Sequence, residues 1–405
     1  MASLFKNRER EMNVDKVHQL RNVARNQTEA VATLAQRICE VPAPTGDERQ
    51  RAEFVASLWR ERGYTTEIDA ISNVYVRRGK RNSGPVLMLL AHIDTVFPAT
   101  TPINVTRDGD IMRGPSIGDN SLSVAAMVSL LALFDELKIE TDVDIIAVAN
   151  VGEEGLGNLR GARAAVERYR SNLGAVIAID GRLGVIVNTA VGSKRWRITV
   201  RGPGGHSFGS FGQPSAIHGL GRIIAAIADL EVPKEPKTTF NVGLIEGGTS
   251  VNTIAPSASA IIDLRSTDVA TLNQLAERVR TIVEQRVGQG LHTEIEILGE
   301  RPAGARSQTD PLVQLASKIL KSLSIEPTYA ASSTDANIPI SLNIPAVCVG
   351  VTHAGRAHTL EEYIQVPPIA DGLAQLLLLT IETCTLIAQN KGNQGGRALF
   401  HPNEY

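Results

Sequence analysis

The chain has 405 residues, more than one hydrophobic core ordinarily holds, so at least two structural units are expected. Its 43% apolar and 21% charged residues are those of a globular protein with a sizeable core. Lysine and arginine (41) nearly balance aspartate and glutamate (43), and the net charge of -2 argues against nucleic acid or an anionic membrane surface as a partner.

The opening segment, MASLFKNREREMNVDK, is charged almost throughout and lacks the apolar stretch of a secretion signal. Three cysteines, Cys39, Cys348 and Cys384, stand far apart with no CxxC pair, so neither a disulfide framework nor a thiolate metal site is expected. No uninterrupted apolar run approaches the ~18 residues that cross a bilayer, and the longest, around Ala374–Leu379, is far shorter. These features predict a cytoplasmic protein without a membrane partner.

Four short, β-rich apolar runs read as buried parallel strands: Val86–Ala91, Ile145–Asn150, Ala175–Ile179 and Ala346–Val351. Between the first two, Ser121–Leu137 is apolar nearly all round and predicts a helix buried against a sheet. Gly161–Leu173 predicts a plainer amphipathic helix. This alternation implies a mixed, mostly parallel α/β sheet flanked by helices. From residue 194 the rhythm changes. Lys194–Gly202 alternates with period two through Trp196, Ile198 and Val200, as a strand with one wet face should. A helix follows at Pro214–Leu230, with proline in its first turn. Strands are expected at Thr238–Ile245 and Ala258–Arg265, a helix from Val269 to about Val287, and a strand at Thr293–Leu298. The order β-α-β-β-α-β is that of the ferredoxin-like module. After about Arg306 the α/β rhythm resumes. The expected organisation is therefore a discontinuous α/β domain, residues 1–193 and 303–405, interrupted by a module at 194–302. The polar, glycine-rich tail from Asn390 predicts loose order.

In open α/β sheets, ligands bind beyond the carboxyl ends of the strands. There the four runs deliver His92 and Asp94, Glu153 and Glu154, Asp180, and His358, while Asp119 precedes the buried helix on the same side. One acid or histidine at a strand end is usually a helix cap or a solvated loop residue. The same pattern at all four ends is much harder to explain that way, and so many clustered carboxylates need cations to offset their burial. A nitrogen-and-oxygen donor set without sulfur suits zinc, with cobalt or manganese also accommodated. Five ligands exceed the need of one tetrahedral ion, which predicts two divalent ions sharing a bridging carboxylate. His92 and Asp94 share a face of an extended segment, so Asp94 can take the other ring N–H of His92 and fix its tautomer. Adjacent Glu153 and Glu154 point different ways, so one would bind metal and the other stay free as a base.

The set LLAHIDTV, GDN, GEEG, AIDG and AHTLEEY, with the middle module carrying GPGGHS and GGTSVNTIAPSA, resembles a known dinuclear zinc metallopeptidase family. That family includes peptidase T, carboxypeptidase G, acetylornithine deacetylase and succinyl-diaminopimelate desuccinylase. The likeness runs from about Thr28 to Asp371; each motif is common alone, and the combination is specific. It implies a zinc-exopeptidase fold with an inserted lid or dimerisation domain. It implies His92 and Asp180 as ligands of one zinc, Glu154 and His358 as ligands of the other, and Asp119 as the bridge. Glu153 matches the general base and Asp94 the residue that orients His92. His206 matches the group that polarises the substrate carbonyl, reaching the partner's site in dimeric members. Asn252 and Arg265 fall where the family contacts substrate, and the Arg265 fork would suit a carboxylate; a surface strand position is the plainer account of that arginine.

Two positions depart from the pattern. Asn120 and Ser121 stand where the family usually has a second acid and often a lysine. The third-strand ligand is Asp180, and in this family aspartate there tends to accompany aminopeptidases and dipeptidases. The resemblance thus implies a homodimer that cleaves an amide bond of a small, tripeptide-like substrate by metal-bound hydroxide, with Glu153 as base. The alternative is the same chemistry on an N-acyl amino acid. A non-catalytic binding protein is disfavoured, because all five ligand positions and the base are filled.

Overall fold

A computed structural model describes residues 14–79 and 84–393. The charged N-terminal stretch lies outside these residues, except for its last few. So does most of the polar tail, whose first residues instead close the helix Ile369–Asn393.

Each of the four apolar runs forms a strand of one mixed sheet. Val86–His92 lies between Asp144–Asn150 and Leu173–Ile179, parallel to both, and Ala346–Val349 runs parallel to the latter. These strands carry no polar alternation because both faces are covered. Leu87, Leu89 and Ala91 enter one apolar cluster, whereas Val86, Met88 and Leu90 enter another. The first cluster takes in helices Val14–Cys39, Leu122–Glu136, Pro311–Ser322 and Ile369–Asn393, and the second Arg160–Tyr169 and Asn337–Ser341.

Two stretches, Ile117–Glu136 and Ile369–Asn390, are long and apolar enough to cross a membrane by length and composition, which corrects the expectation drawn from uninterrupted runs. Scattered residues such as Gln375, Thr380 and Thr383 break the run without giving the helix a wet face, and all three are buried. In this fold 78% and 72% of the two apolar windows are buried, so both helices serve as core.

Among the described residues, nine strands make up the larger sheet. Sequence patterning missed its margins. Val74–Arg78 pairs antiparallel to Asp144–Asn150, and Val185–Ala190 pairs antiparallel to Ala346–Val349 and parallel to Thr328–Ser332. These strands mix polar and apolar residues and give no continuous apolar signal.

The middle of the chain forms a second, four-stranded antiparallel sheet. Its order is Thr238–Gly247, Ser257–Ser266, Gly192–Arg201, His292–Arg301. Helices Ala216–Ala228 and Val269–Arg286 pack on the face where Trp196, Ile198 and Val200 meet Leu220, Ile223, Leu275 and Val279. The element order is the β-α-β-β-α-β of the sequence reading, although Pro214 lies just ahead of its helix. The chain leaves the larger sheet after Val185–Ala190 and returns at Gly304–Ala305, which pairs with that same strand.

Arg51 secures the strand end that carries His92. It is fully buried on the helix Arg49–Arg60 and donates to the carbonyls of Cys39 (3.1 Å), Val41 (2.6 Å) and Ile93 (2.9 Å). Burial lowers its guanidinium to about 10, which leaves it charged at neutral pH.

Candidate metal centre

Parallel strands end at one edge of a sheet, and here that edge gathers the polar residues. His92 is the last residue of its strand, Asp180 follows Ile179 directly, and Glu153 and Glu154 follow Asn150 within one turn of chain. Asp119 sits in the wide turn Ile117–Ser121 that opens the buried helix. His358 arrives on the loop after Ala346–Val349 with φ 66°, a left-handed conformation that costs a non-glycine residue energy and is often found where function demands it.

Two groups of ligand atoms share Asp119. His92, Asp119 and Asp180 each bring one donor atom within 4.8 Å of the others, and so do Asp119, Glu154 and His358. A third such group is His92, Glu153 and Glu154. Asp119 Oδ1 lies 3.2 Å from His92 Nε2, and its Oδ2 lies 3.2 Å from His358 Nε2. His358 Nε2 is 2.9 Å from Glu154 Oε1. His92 Nε2 is buried without a hydrogen-bond partner, although it points into a nest of carboxylates. A buried ring nitrogen left unpaired beside several acids is the environment a divalent cation satisfies, so the residues fit two such ions.

The electrostatics agree. Burial pushes Glu153 and Glu154 above the usual carboxylate range, Asp180 to about 7 and Asp335 to about 6. Burial acts on Asp119 in the same direction, but the hydrogen bond from His358 and the charge of the adjacent His92 ring outweigh it and hold that carboxyl well below its ordinary value. The contact with Asp119 lifts His358 to about 9. So many buried acids in one place keep protons unless cations replace them.

Asp94 behaves differently from expectation. The nearest group to His92 Nδ1 is the main-chain oxygen of Asp94, at 3.1 Å, while the carboxylate is 3.6 Å away. The carboxylate instead accepts the amides of Glu153 and Glu154, both at 2.9 Å, and the Thr45 hydroxyl at 2.9 Å. Turning of the chain beyond the strand end brings the carbonyl to the ring and frees the side chain to tether the next loop.

Several site residues had no role assigned from the sequence. Arg301 pairs with Glu153 at 3.2 Å. Glu362 accepts the amides of Ser116 (3.2 Å), Gly118 (2.7 Å) and Asp119 (2.7 Å), which sets the turn that presents Asp119. Asp335 accepts from the Asn150 side chain at 2.8 Å. Asn120, in the place of the usual acid, donates its side-chain amide to the Ile179 carbonyl at 2.9 Å, a bond that an ionised acid cannot donate. It thereby ties the Asp119 turn to the strand that ends beside Asp180.

A cavity of about 480 Å³ opens over Asp119, Glu153, Glu154, Asp180 and His358, and Arg195 and Arg265 of the smaller sheet also line it. Asp263 lies between these arginines, 3.2 Å from Arg195 Nε and 2.5 Å from Arg265 Nε. His206 and Asn252 do not reach this cavity. They lie exposed near the short strand pair Gly205–His206 and Thr253–Ile254, where His206 Nδ1 accepts the amides of Phe208 (3.3 Å) and Gly209 (3.1 Å). Asn252 Oδ1 accepts from the Ser250 hydroxyl at 2.9 Å.

Comparison with known proteins follows the same lines. Residues 88–382 match the profile of peptidase family M20/M25/M40. A peptidase M20 domain-containing protein of Schizosaccharomyces pombe is 30% identical over 267 residues, which are 60% of this chain and 62% of that protein. The chain therefore spans less than two thirds of that relative. Succinyl-diaminopimelate desuccinylase of Corynebacterium glutamicum is 26% identical over 356 residues, 85% of this chain and 94% of the enzyme. A tripeptidase structure from Staphylococcus aureus shares the fold, with a TM-score of 0.75 at 20% identity over 88% of this chain and 99% of that one.

Proposed function

Since the chain belongs to peptidase family M20/M25/M40, we propose that it is a metal-dependent hydrolase that cleaves the amide bond of a small peptide with a free amino terminus. The observation that carries the reading is Asp119, which lies between two donor groups, each with its own histidine and a further acid. His92, Asp119 and Asp180 would hold one divalent ion, and Asp119, Glu154 and His358 the other; the donor types lead us to assign zinc. Such ions supply Lewis acidity that polarises a carbonyl and acidifies water. Glu153 stands outside both groups that share Asp119 and takes the proton of the attacking water, then passes it to the leaving amine. Asp94 holds the Glu153 amide while it does so. Arg195 and Arg265 offer guanidiniums to a substrate carboxylate.

A second reading, hydrolysis of N-acyl amino acids, is favoured by those guanidiniums and by the desuccinylase relative. A panel of tripeptides, dipeptides, and N-acetyl and N-succinyl amino acids separates the two. We expect the highest kcat/KM on tripeptides. A consistent preference for acyl amino acids would replace the peptidase reading with a deacylase, and two bound metals with no turnover of any amide would remove both.

We assign the four-stranded sheet and its helices, residues 194–302, the roles of lid and dimerisation unit. Its edge strand Thr238–Gly247 exposes Leu244 and Ile245, and Phe208, Phe211 and Val251 are exposed on nearby loops. Apolar side chains on an open edge favour pairing with a second copy. Such a dimer would also give the outlying His206 a site to serve on the partner. Equilibrium sedimentation should show a dimer, and Leu244→Glu with Ile245→Lys should yield a monomer; a native protein monomeric at micromolar concentration would end this assignment. The three cysteines are free and buried, as a reducing compartment allows, and we place the protein in the cytoplasm.

A further inference from the structure

We propose that Arg301 is a positioning residue that aims the Glu153 carboxylate at the cavity from the place where the two sheets join. The inference rests on the reading of Glu153 as the base. Arg301 is the last residue of the strand His292–Arg301, where the chain passes from the smaller sheet back to the larger. Its side chain is 6% exposed. Nη1 lies 3.2 Å from Glu153 Oε1 and donates to the Ser333 hydroxyl at 3.0 Å, while Nη2 donates to the main-chain oxygen of Glu153.

One planar guanidinium thus grips the side chain and the peptide of the same residue. That fixes the rotation of the carboxylate relative to its own backbone, which a single ammonium could not do. From the other direction Asp94 holds the Glu153 amide at 2.9 Å. With Oε1 engaged by Arg301, Oε2 is the oxygen left to accept a proton from the cavity. A buried arginine–carboxylate pair adds little net stability over well-packed apolar residues, so stability alone is a poor reason for one here.

The two ends of the pair belong to different sheets. Glu153 follows the strand Asp144–Asn150 of the larger sheet, whereas Arg301 ends a strand of the smaller one. The strand end is anchored next door: the Glu300 amide donates to Asn158 Oδ1 at 2.9 Å, and Arg163 donates to the Glu300 carbonyl. Asn158 and Arg163 stand on the side of the larger sheet, so these bonds hold the guanidinium in step with Glu153 where the two sheets join.

The test compares Arg301→Ala, Arg301→Lys and Glu153→Gln in the metal-loaded full chain, with the peptide that the native protein turns over fastest. Arg301→Ala should lower kcat about 10²-fold, the scale expected from a misplaced reacting group, with KM within about threefold and metal content unchanged. Arg301→Lys should recover only part of the loss. Millimolar guanidinium should raise kcat of Arg301→Ala and leave Glu153→Gln unaffected, a rescue that a purely structural arginine would not show. A folded Arg301→Ala with kcat within threefold of native overturns the proposal, as does a loss confined to KM or to metal content. Should Arg301→Ala fail to fold, Arg301→Lys decides, because native-like kcat with one ammonium would show that the two-armed grip is dispensable. Turnover surviving in Glu153→Gln instead removes the base assignment and takes this inference with it, whereas an inactive Glu153→Gln beside a native-like Arg301 variant overturns the inference alone.

Discussion

Replacing Glu153 by glutamine should leave both metal ions in place and lower kcat by about 10²–10⁴-fold, the usual contribution of a positioned general base. The expectation rests on where the side chain stands. Glu153 is not among the two groups that meet at Asp119, so the donor atoms of both would be intact. Its backbone would stay in place as well, because the hydrogen bond from its amide to Asp94 and the contact from Arg301 to its main-chain oxygen do not involve the Glu153 carboxylate. Glutamine keeps the shape and still offers Arg301 an acceptor, but it cannot take a proton at neutral pH. Elemental analysis beside steady-state kinetics reads both halves of the expectation. A variant as fast as the native protein would show that another group moves the proton.

Asp119→Ala should have the largest effect on metal content. The Asp119 oxygens lie 3.2 Å from both imidazoles, so one substitution opens both groups at once. The metal-to-protein ratio should fall from about two to near zero, whereas His358→Ala, which touches one group, should retain about one ion. Melting offers a second readout. Ions that bind only the folded chain raise its apparent stability by mass action, so a chelator should lower the Tm of the native protein and hardly move that of Asp119→Ala. Two ions still bound by Asp119→Ala would show that the carboxylate is not shared.

The four central strands were legible because burial on both faces leaves an unbroken apolar run, and Leu87 and Met88 go to opposite clusters without any change in residue type. Once those strands are parallel, their carboxyl ends must share an edge, so the polar residues after each run are brought together by topology alone. Groups that act across the chain were not legible. Arg301 is 148 residues from Glu153, and Glu362 is 243 from Asp119. Nothing in the local sequence distinguishes Arg301 from a solvated charge, and Glu362, although it ends the acidic pair of AHTLEEY, gives no sign that it holds the turn of Asp119. Asp94 shows a finer limit: period two places its side chain toward His92, but the turn beyond the strand end substitutes its carbonyl. His206 and Asn252 share a loop region that the chain holds away from the cavity, a matter of how the smaller sheet and its hairpins are placed.

The return of the chain beside its own point of exit bears on how this molecule could have arisen. Gly304 pairs directly with Ala190 and Ala305 with Thr189, an antiparallel match whose partners lie about 5 Å apart. A two-residue hairpin turn spans that gap, so everything from residue 191 to 303 could be exchanged for one turn without changing the connectivity of the larger sheet. All five donor residues around Asp119, and Glu153, would survive such an excision, whereas Arg195, Arg265 and Arg301 would be lost. The donor residues and Glu153 are thus written in one tract of the gene, and the arginines that line the cavity or grip Glu153 in another, joined at a seam two residue pairs wide.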